Sequence, residues 1–324
     1  MGRLFLDYGK TTLMLKNEAR KKAILLSIVI VSILLNLYTF VQAYPETFAI
    51  DSGIGASHIL AKDFSAYYIG GWRLFHDPSN VYTKGLVSNG EPYIYPQPQL
   101  YEYLPSFLIF IAPLLFLGYQ DALIAFDIAQ FLLLPVMAFL VYELLKDRST
   151  LTIAIVIVIL ILQPSPTPHW GLSVSYFWQW GEGQDKVLNT ALLLLSFYLG
   201  KTRKPILSGV IFGLGAFDPR FFLLSLPLFA VYNKLDPKKS WLSLIASLLV
   251  FNFPLLIDGI GAGFLRMMVQ SGIGTPLYYY ALIPFLTLVS LIVLTAKEFY
   301  LLLRALLSRV AVYSGGIPRK QTEI

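Results

Sequence analysis

The sequence predicts an all-α fold: a polytopic integral membrane protein of about eight transmembrane helices, with further helices lying along its outer face. Three observations carry this. The 324 residues are 56% hydrophobic and only 14% charged, where a soluble domain carries nearer a quarter charged residues. Mean hydropathy is +0.65. Long apolar runs recur from residue 23 to residue 303, without the period-2 alternation of a membrane barrel.

The first run, 23–43, follows a basic segment holding Lys16, Arg20, Lys21 and Lys22. Val41-Gln42-Ala43 faintly resembles a signal-peptidase site. A run of about 20 residues nevertheless fits a span better than a signal core, so 23–43 is read as an uncleaved first helix. Basic clusters then set the orientation. They lie at 1–22, at Lys146 and Arg148, at Lys201-Thr202-Arg203-Lys204, at Lys234 with Lys238 and Lys239, and in 304–324. Short loops rich in Lys and Arg stay in the cytoplasm. With all five inside, the spans are 23–43, 121–145, 150–167, 187–200, 206–217, 221–233, 241–257 and 279–303, and both termini are cytoplasmic. The net charge of +6 belongs to these loops, and nucleic acid is not an expected partner. The chain holds no cysteine, which removes disulfides and thiolate metal sites.

Two segments are read against simple crossing. Residues 104–118 are apolar but broken by Pro105, Pro113 and Gly118, which suits a juxtamembrane or re-entrant helix on the outer side. Residues 206–217 and 221–233 are each short for a span. They form either one long helix or a hairpin around Asp218-Pro219-Arg220, and the hairpin keeps both flanking basic loops inside. The outer loops are then 44–120, 168–186, 218–220 and 258–278. They contain all three histidines (His58, His76, His169) and Trp72, Trp170, Trp178 and Trp180. Function is expected on that face.

Within 44–120 the stretch KDFSAYYIGGWRLFHDPSNVY begins at Lys62. Phe64, Tyr67, Tyr68, Trp72 and Phe75 recur with the spacing of one helical face. The expected element is an interfacial helix anchored in the headgroup layer by its aromatic residues, with Asp63 at its N-cap. Asp63 is then either a cap or a carboxylate presented to a lipid-borne substrate, where it can take a proton.

The order of the surrounding pieces resembles a known family. Asp63-Phe64-Ser65-Ala66-Tyr67-Tyr68 is followed by Tyr103-Leu104-Pro105-Ser106-Phe107. Next come Gly183-Gln184-Asp185-Lys186-Val187-Leu188-Asn189, a basic turn, and SGVIFGLGAFDP ending at Pro219. This resembles the GT-C membrane glycosyltransferases, in particular the polyprenol-phosphate-mannose-dependent mannosyltransferases of glycosyltransferase family 87, over roughly residues 60–235. Where that family has Lys before the proline helix, this chain has Asp218-Pro219-Arg220. The chain is also shorter than typical members.

The resemblance implies transfer of a hexose, mannose by the family, from a polyprenyl-phosphate carrier to a glycolipid or glycan acceptor on the outer face of the cell membrane. It implies Asp63 as general base. Arg220 suits the donor phosphate because a guanidinium binds phosphate bidentately and stays charged near lipid. Lys186 either assists it or snorkels. Asp218 either pairs with Arg220 or orients it. Glu182, Gln184, Asp185, Tyr67 and Trp180 are the expected sugar contacts. Asp127 lies inside a predicted span, where an ionisable group is costly and points to function. No cofactor is expected, and no ligand set for a divalent metal is recognisable. Membrane lipids and a membrane-protein partner complete the expected surroundings. Two other readings stay open: a multi-pass transporter, motivated by short helices around Asp218-Pro219-Arg220, and a non-catalytic relative serving as a scaffold.

Overall fold

The chain alternates in direction helix by helix, and side-chain contacts at each end show how. The computed structural model describes residues 2–48, 62–85, 90–92, 100–162, 164–167, 171–174, 183, 185–257 and 259–270. The predicted span 279–303 and the tail 304–324 lie outside the described residues. Helix α1 is Gly2–Phe48, α2 Lys62–His76, α3 Leu108–Ile111, α4 Tyr119–Leu145 and α5 Thr150–Leu162. Then come a short antiparallel pair, β1 Pro164–Thr167 and β2 Gly171–Val174, and α6 Lys186–Lys201, α7 Pro205–Leu214, α8 Pro219–Tyr232, α9 Pro237–Phe251 and α10 Ile260–Gln270. The described residues are predominantly helical.

Polar contacts at helix ends fix the packing. Lys21 of α1 donates to the carbonyls of Lys146 and Arg148, and Asn36 donates to that of Ile161. α1 therefore runs parallel to α5 and antiparallel to α4. Gln130 of α4 accepts from Leu188 N, while Lys201 reaches the Glu143 and Leu144 carbonyls, so α4 and α6 run parallel. Ser196 and Ser208 exchange hydrogen bonds near the α6–α7 turn, and Asn233 returns to Ser208 from the end of α8. α7 and α8 are thus a hairpin about Asp218, as expected, and not one long helix. α9 returns parallel to α7, with Ser247 donating to the Val210 carbonyl.

One end of the bundle consequently gathers the basic turns 146–148, 201–204 and 233–239 beside Lys21. The other end gathers the joints 100–118, 183 with 185, 215–218 and 252–257, covered by α2. At the basic end, α4, α6 and α8 finish together around a cavity of about 370 Å3 lined by Arg148, Lys201, Lys234 and Asp147 over leucine and valine. Lys201 is not merely a solvated turn residue. Its ammonium satisfies two of the carbonyls that every helix C-terminus leaves unpaired.

Helix lengths qualify the expected eight spans. Among the described residues, two helical stretches are long and apolar enough to cross a membrane, Asn17–Val41 and Tyr119–Leu145. α5, α6, α7, α8 and α9 have 13, 16, 10, 14 and 15 residues, short of the ~20 that a perpendicular span needs. Predicted span 150–167 ends at Leu162, and 164–167 is strand instead. The residue before a proline avoids the helical region, and Pro164 and Pro166 follow at once. Predicted span 241–257 gives way after Phe251 to a 3-10 turn, Phe253–Leu256, that contains Pro254.

α2 also corrects the reading of its aromatic stripe. Phe64, Tyr67 and Tyr68 are buried. Phe64 packs on Tyr119 and Phe126, and Tyr67 packs edge-on to Phe107. The stripe is core rather than headgroup anchor, because α4 and the 105–116 segment cover it; Phe75 alone among the five is largely exposed. Asp63 lies within the first turn of α2 rather than before it, since the helix already includes Lys62.

The tightest helix contact is α7 on α9. A Cβ added at Gly209 would overlap Ser243 Oγ and the Ser240 carbonyl oxygen, and one at Gly213 would meet Ser247 Oγ at 2.5 Å. Close backbone approach through small residues supports helix association in an apolar setting. Gly209→Ala is expected to lower stability by about 1–3 kcal/mol, the usual cost of overpacking, read as a lower melting temperature in detergent. Gly118→Ala, whose Cβ would meet nothing, is expected to melt with the wild type.

Candidate functional site

The end of the bundle opposite the basic turns contains a buried cluster of oxygens. Three local structures build it. α2 carries Asp63 and, one turn later on the same face, Tyr67. The extended segment before Pro105 carries Tyr101 and Tyr103. Asp185 and Asp218 immediately precede α6 and α8, whose N-termini both face this end.

Backbone and amide contacts bring these pieces together. Leu104 N donates to the Phe217 carbonyl at 3.0 Å. Asn189, one turn into α6, donates from Nδ2 to the Gly215 carbonyl at 3.2 Å. The Phe107 and Phe217 rings pack at a tilt with centroids 4.6 Å apart. Ser106 N donates to Asn252 Oδ1, tying the same segment to the end of α9. The turn 215–218 is thus held from two sides, which sets Asp218 beside Asp185.

At the centre, the Tyr67 hydroxyl lies 3.2 Å from Asp185 Oδ1, the Tyr103 hydroxyl lies 3.2 Å from the same oxygen, and the two hydroxyls lie 3.2 Å from one another. Asp185 is 4% exposed and Asp218 is 2% exposed. Burial, and then the negative charge of Asp218, push the Asp185 carboxyl up to about 7, against the partial relief of its hydrogen bonds. Burial also holds the Tyr67 hydroxyl well above its usual value, and the charges of Asp185 and Asp63 add to this. Asp63 itself is half-buried at the edge of the cluster.

Of the sequence-predicted residues, Asp63, Tyr67, Asp185 and Asp218 converge here. Lys186 follows Asp185 as the first residue of α6. Arg220 lies in the first turn of α8, and its side chain, like Gln184, Glu182 and Trp180, lies outside the described residues. Asp127 is buried in α4 beyond Tyr119, and its Oδ1 has no hydrogen-bond partner among the described residues. Its neighbour Phe126 packs against Tyr67 and Phe107. Among the described residues, no three carboxylate or histidine side chains gather closely enough to hold a metal ion.

Two functional features escaped sequence reasoning. Tyr103 was visible only as the tyrosine two positions before Pro105. Arg73 has no role in the sequence reading, yet it is buried. It pairs with Glu91 at 2.5 Å and donates to the carbonyls of Asn80, Thr83 and Gly85. One guanidinium therefore organises the loop that follows α2, and burial lowers its pKa while Glu91 opposes the shift.

Comparison with protein-family models, with curated proteins and with solved structures returned no match.

The buried carboxyl has a consequence for stability. Its pKa is higher in the folded chain than the ordinary 3.8, so the proton favours folding. That stabilisation is complete below about pH 4, falls as pH rises to about 7 and is gone above it. At ~1.4 kcal/mol for each tenfold change, the effect is bounded at roughly 4 kcal/mol. The melting temperature in detergent is expected to fall between about pH 5 and about pH 8, and Asp185→Asn is expected to flatten that slope. An unchanged slope in the variant would assign the pH dependence elsewhere.

Proposed function

We propose that this chain is a membrane-embedded glycosyltransferase of GT-C type. It moves a hexose, mannose by the family resemblance, from a polyprenyl-phosphate carrier to a lipid-linked or glycan acceptor at the outer face of the cell membrane. The observation that carries the reading is convergence. Asp63, Tyr67, Asp185 and Asp218 come from three separate elements between positions 63 and 218, and they meet at the end of the bundle away from the basic turns.

The membrane arrangement draws support from the alternation of α1, α4, α5, α6, α7, α8 and α9, which matches the direction each span needs if the basic turns are cytoplasmic. Exposed apolar side chains on several of these helices, such as Leu34, Leu132, Ile155, Leu207 and Leu249, suit lipid contact. Helices of 10–16 residues suit a site set below the outer surface of the bilayer. Irregular backbone is tolerated at that depth when protein covers it, and here α2 and the 105–116 segment provide the cover.

The chemistry divides among the residues. Asp63, half-buried at the rim, accepts the proton of the acceptor hydroxyl as the new glycosidic bond forms. α6 and α8 aim their N-termini at the site, where partial positive charge favours a phosphate; Lys186 and Arg220 stand in those first turns. Tyr67, Tyr103 and Asp218 supply hydroxyl and carboxylate groups for sugar hydroxyls, and Gln184, Glu182 and Trp180 complete the sugar contacts. A transport role has one observation in its favour, the buried Asp127 inside α4.

Purified protein is expected to transfer label from one member of a panel of radiolabelled polyprenyl-phosphate sugars to membrane lipid extract. Asp63→Ala is expected to lose at least ~100-fold, the low end of what a general base contributes. Equal transfer by wild type and variant removes Asp63 from the chemistry, and no transfer from any donor favours the transport or scaffold role. The orientation has its own test, because the chain is naturally free of cysteine. Lys204→Cys is expected to react with an impermeant maleimide only after the cytoplasmic side is opened, and Ser79→Cys to react in intact cells. The reverse pattern would invert the topology.

A further inference from the structure

We propose that Asp185 is the acid of this site: it enters the reaction carrying a proton and delivers that proton to the departing phosphate. The inference rests on the glycosyl-transfer reading.

Asp185 Oδ1 and the hydroxyls of Tyr67 and Tyr103 form a triangle with all three edges at 3.2 Å. Two hydroxyl protons serve only two edges. If both hydroxyls donate to an ionised Asp185, the edge between the tyrosines sets two lone pairs against each other. A third proton, on Asp185, gives each of the three edges a donor. Buried polar oxygens are costly when a bond goes unmade, so the geometry favours the three-proton form.

The surroundings agree. From α2, Tyr67 faces the group and Asp63 acts on Tyr67; from the segment before Pro105, Tyr101 and Tyr103; from the 215–218 turn, Asp218. On α6 itself Lys186 is adjacent, and Arg220 follows Asp218 in sequence. α4 contributes the neutral Gln130, on the Leu188 amide. Asp185 makes no ion pair among the described residues. Burial and the second carboxylate, Asp218, favour the neutral acid, and the hydrogen bonds from the two phenols offset part of this. Two carboxylates in unlike settings divide acid and base work in this way: Asp63 sits half-exposed, and Asp185 sits buried with its proton.

The step balances. The acceptor oxygen bonds to the anomeric carbon as the bond from that carbon to the phosphate oxygen breaks. The acceptor proton passes to Asp63, and the Asp185 proton passes to the departing phosphate. The carrier leaves as a protonated phosphate monoester. Asp63 then loses its proton to water and Asp185 regains one, restoring the site.

The test uses full-length protein with Asp185→Asn, which keeps a side-chain oxygen for both tyrosines. pH-difference infrared spectroscopy is expected to show a protonated carboxyl C=O stretch near neutral pH that is lost on raising the pH. That band is expected to be absent in Asp185→Asn and to titrate at lower pH in Asp218→Asn. Persistence of every carboxyl band in Asp185→Asn overturns the proposal, whatever reaction the protein performs. Transfer is then measured with the natural carrier and with one fluorinated next to the phosphate, whose phosphate is a weaker base. Asp185→Asn is expected to lose ~100-fold with the first and to recover most of that with the second, while Asp63→Asn stays inactive with both. Equal loss with both carriers makes Asp185 structural and overturns the donor role. Absence of transfer by wild type from every donor defeats the glycosyl-transfer reading and the donor role with it.

Discussion

Burying Asp185 is the constraint from which the rest of this end of the molecule follows. A carboxyl removed from water must be matched by donors or carry its own proton. The chain supplies Tyr67 from α2 and Tyr103 from the segment before Pro105. For those hydroxyls to arrive, α2 must lie across the bundle end, which buries Phe64 and Tyr67 against Tyr119, Phe126 and Phe107. For Tyr103 to arrive, the chain must be extended there, which Pro105 enforces on Leu104. Leu104 N is then free to bind the Phe217 carbonyl, and that bond draws Asp218 in beside Asp185. The aromatic packing and the polar cluster are one construction.

The two ends of the bundle are complementary in charge because the helices alternate. α4, α6 and α8 finish at the basic end, where their carbonyls carry partial negative charge and Lys201 supplies the balancing ammonium. α6 and α8 begin at the other end, where partial positive charge suits the Asp218 carboxylate. The basic turn at Lys201 therefore also completes the C-terminus of α4, while the N-termini of α6 and α8 meet at the opposite end.

Much of this was legible in the sequence, and for identifiable reasons. The basic turns at Lys146, Lys201 and Lys234 announced the alternation, and Asp218-Pro219 announced the hairpin, since proline cannot continue α7 but starts α8 well. Asp63, Tyr67, Asp185 and Asp218 were found as residues. Their mutual arrangement was not, because the link between Tyr67 and Asp185 spans 118 positions and leaves no periodic trace. The aromatic face of α2 illustrates the limit. Helical spacing identified Phe64, Tyr67 and Tyr68 as one face, yet the same pattern describes a helix resting on lipid and one resting on protein. Only the cover from α4 and the 105–116 segment decides between them. Arg73 was missed for a related reason: a lone arginine on a polar face is ordinary until Glu91 and three carbonyls close around it.

Asp127 marks what the architecture leaves over. It sits on α4 about two turns beyond Tyr119, and its neighbour Phe126 packs into the same aromatic cluster that supports Tyr67. A carboxyl oxygen buried there without a hydrogen-bond partner among the described residues costs more than an alanine would. Gln130, one turn on, shows what a polar residue on this helix does when it is structural, since its oxygen takes the Leu188 amide. That contact anchors α4 to α6 just past Asp185. Gln130 is thus tied into the scaffold beside Asp185, and Asp127, about one turn before it on α4, stands next to the aromatic residue that supports Tyr67.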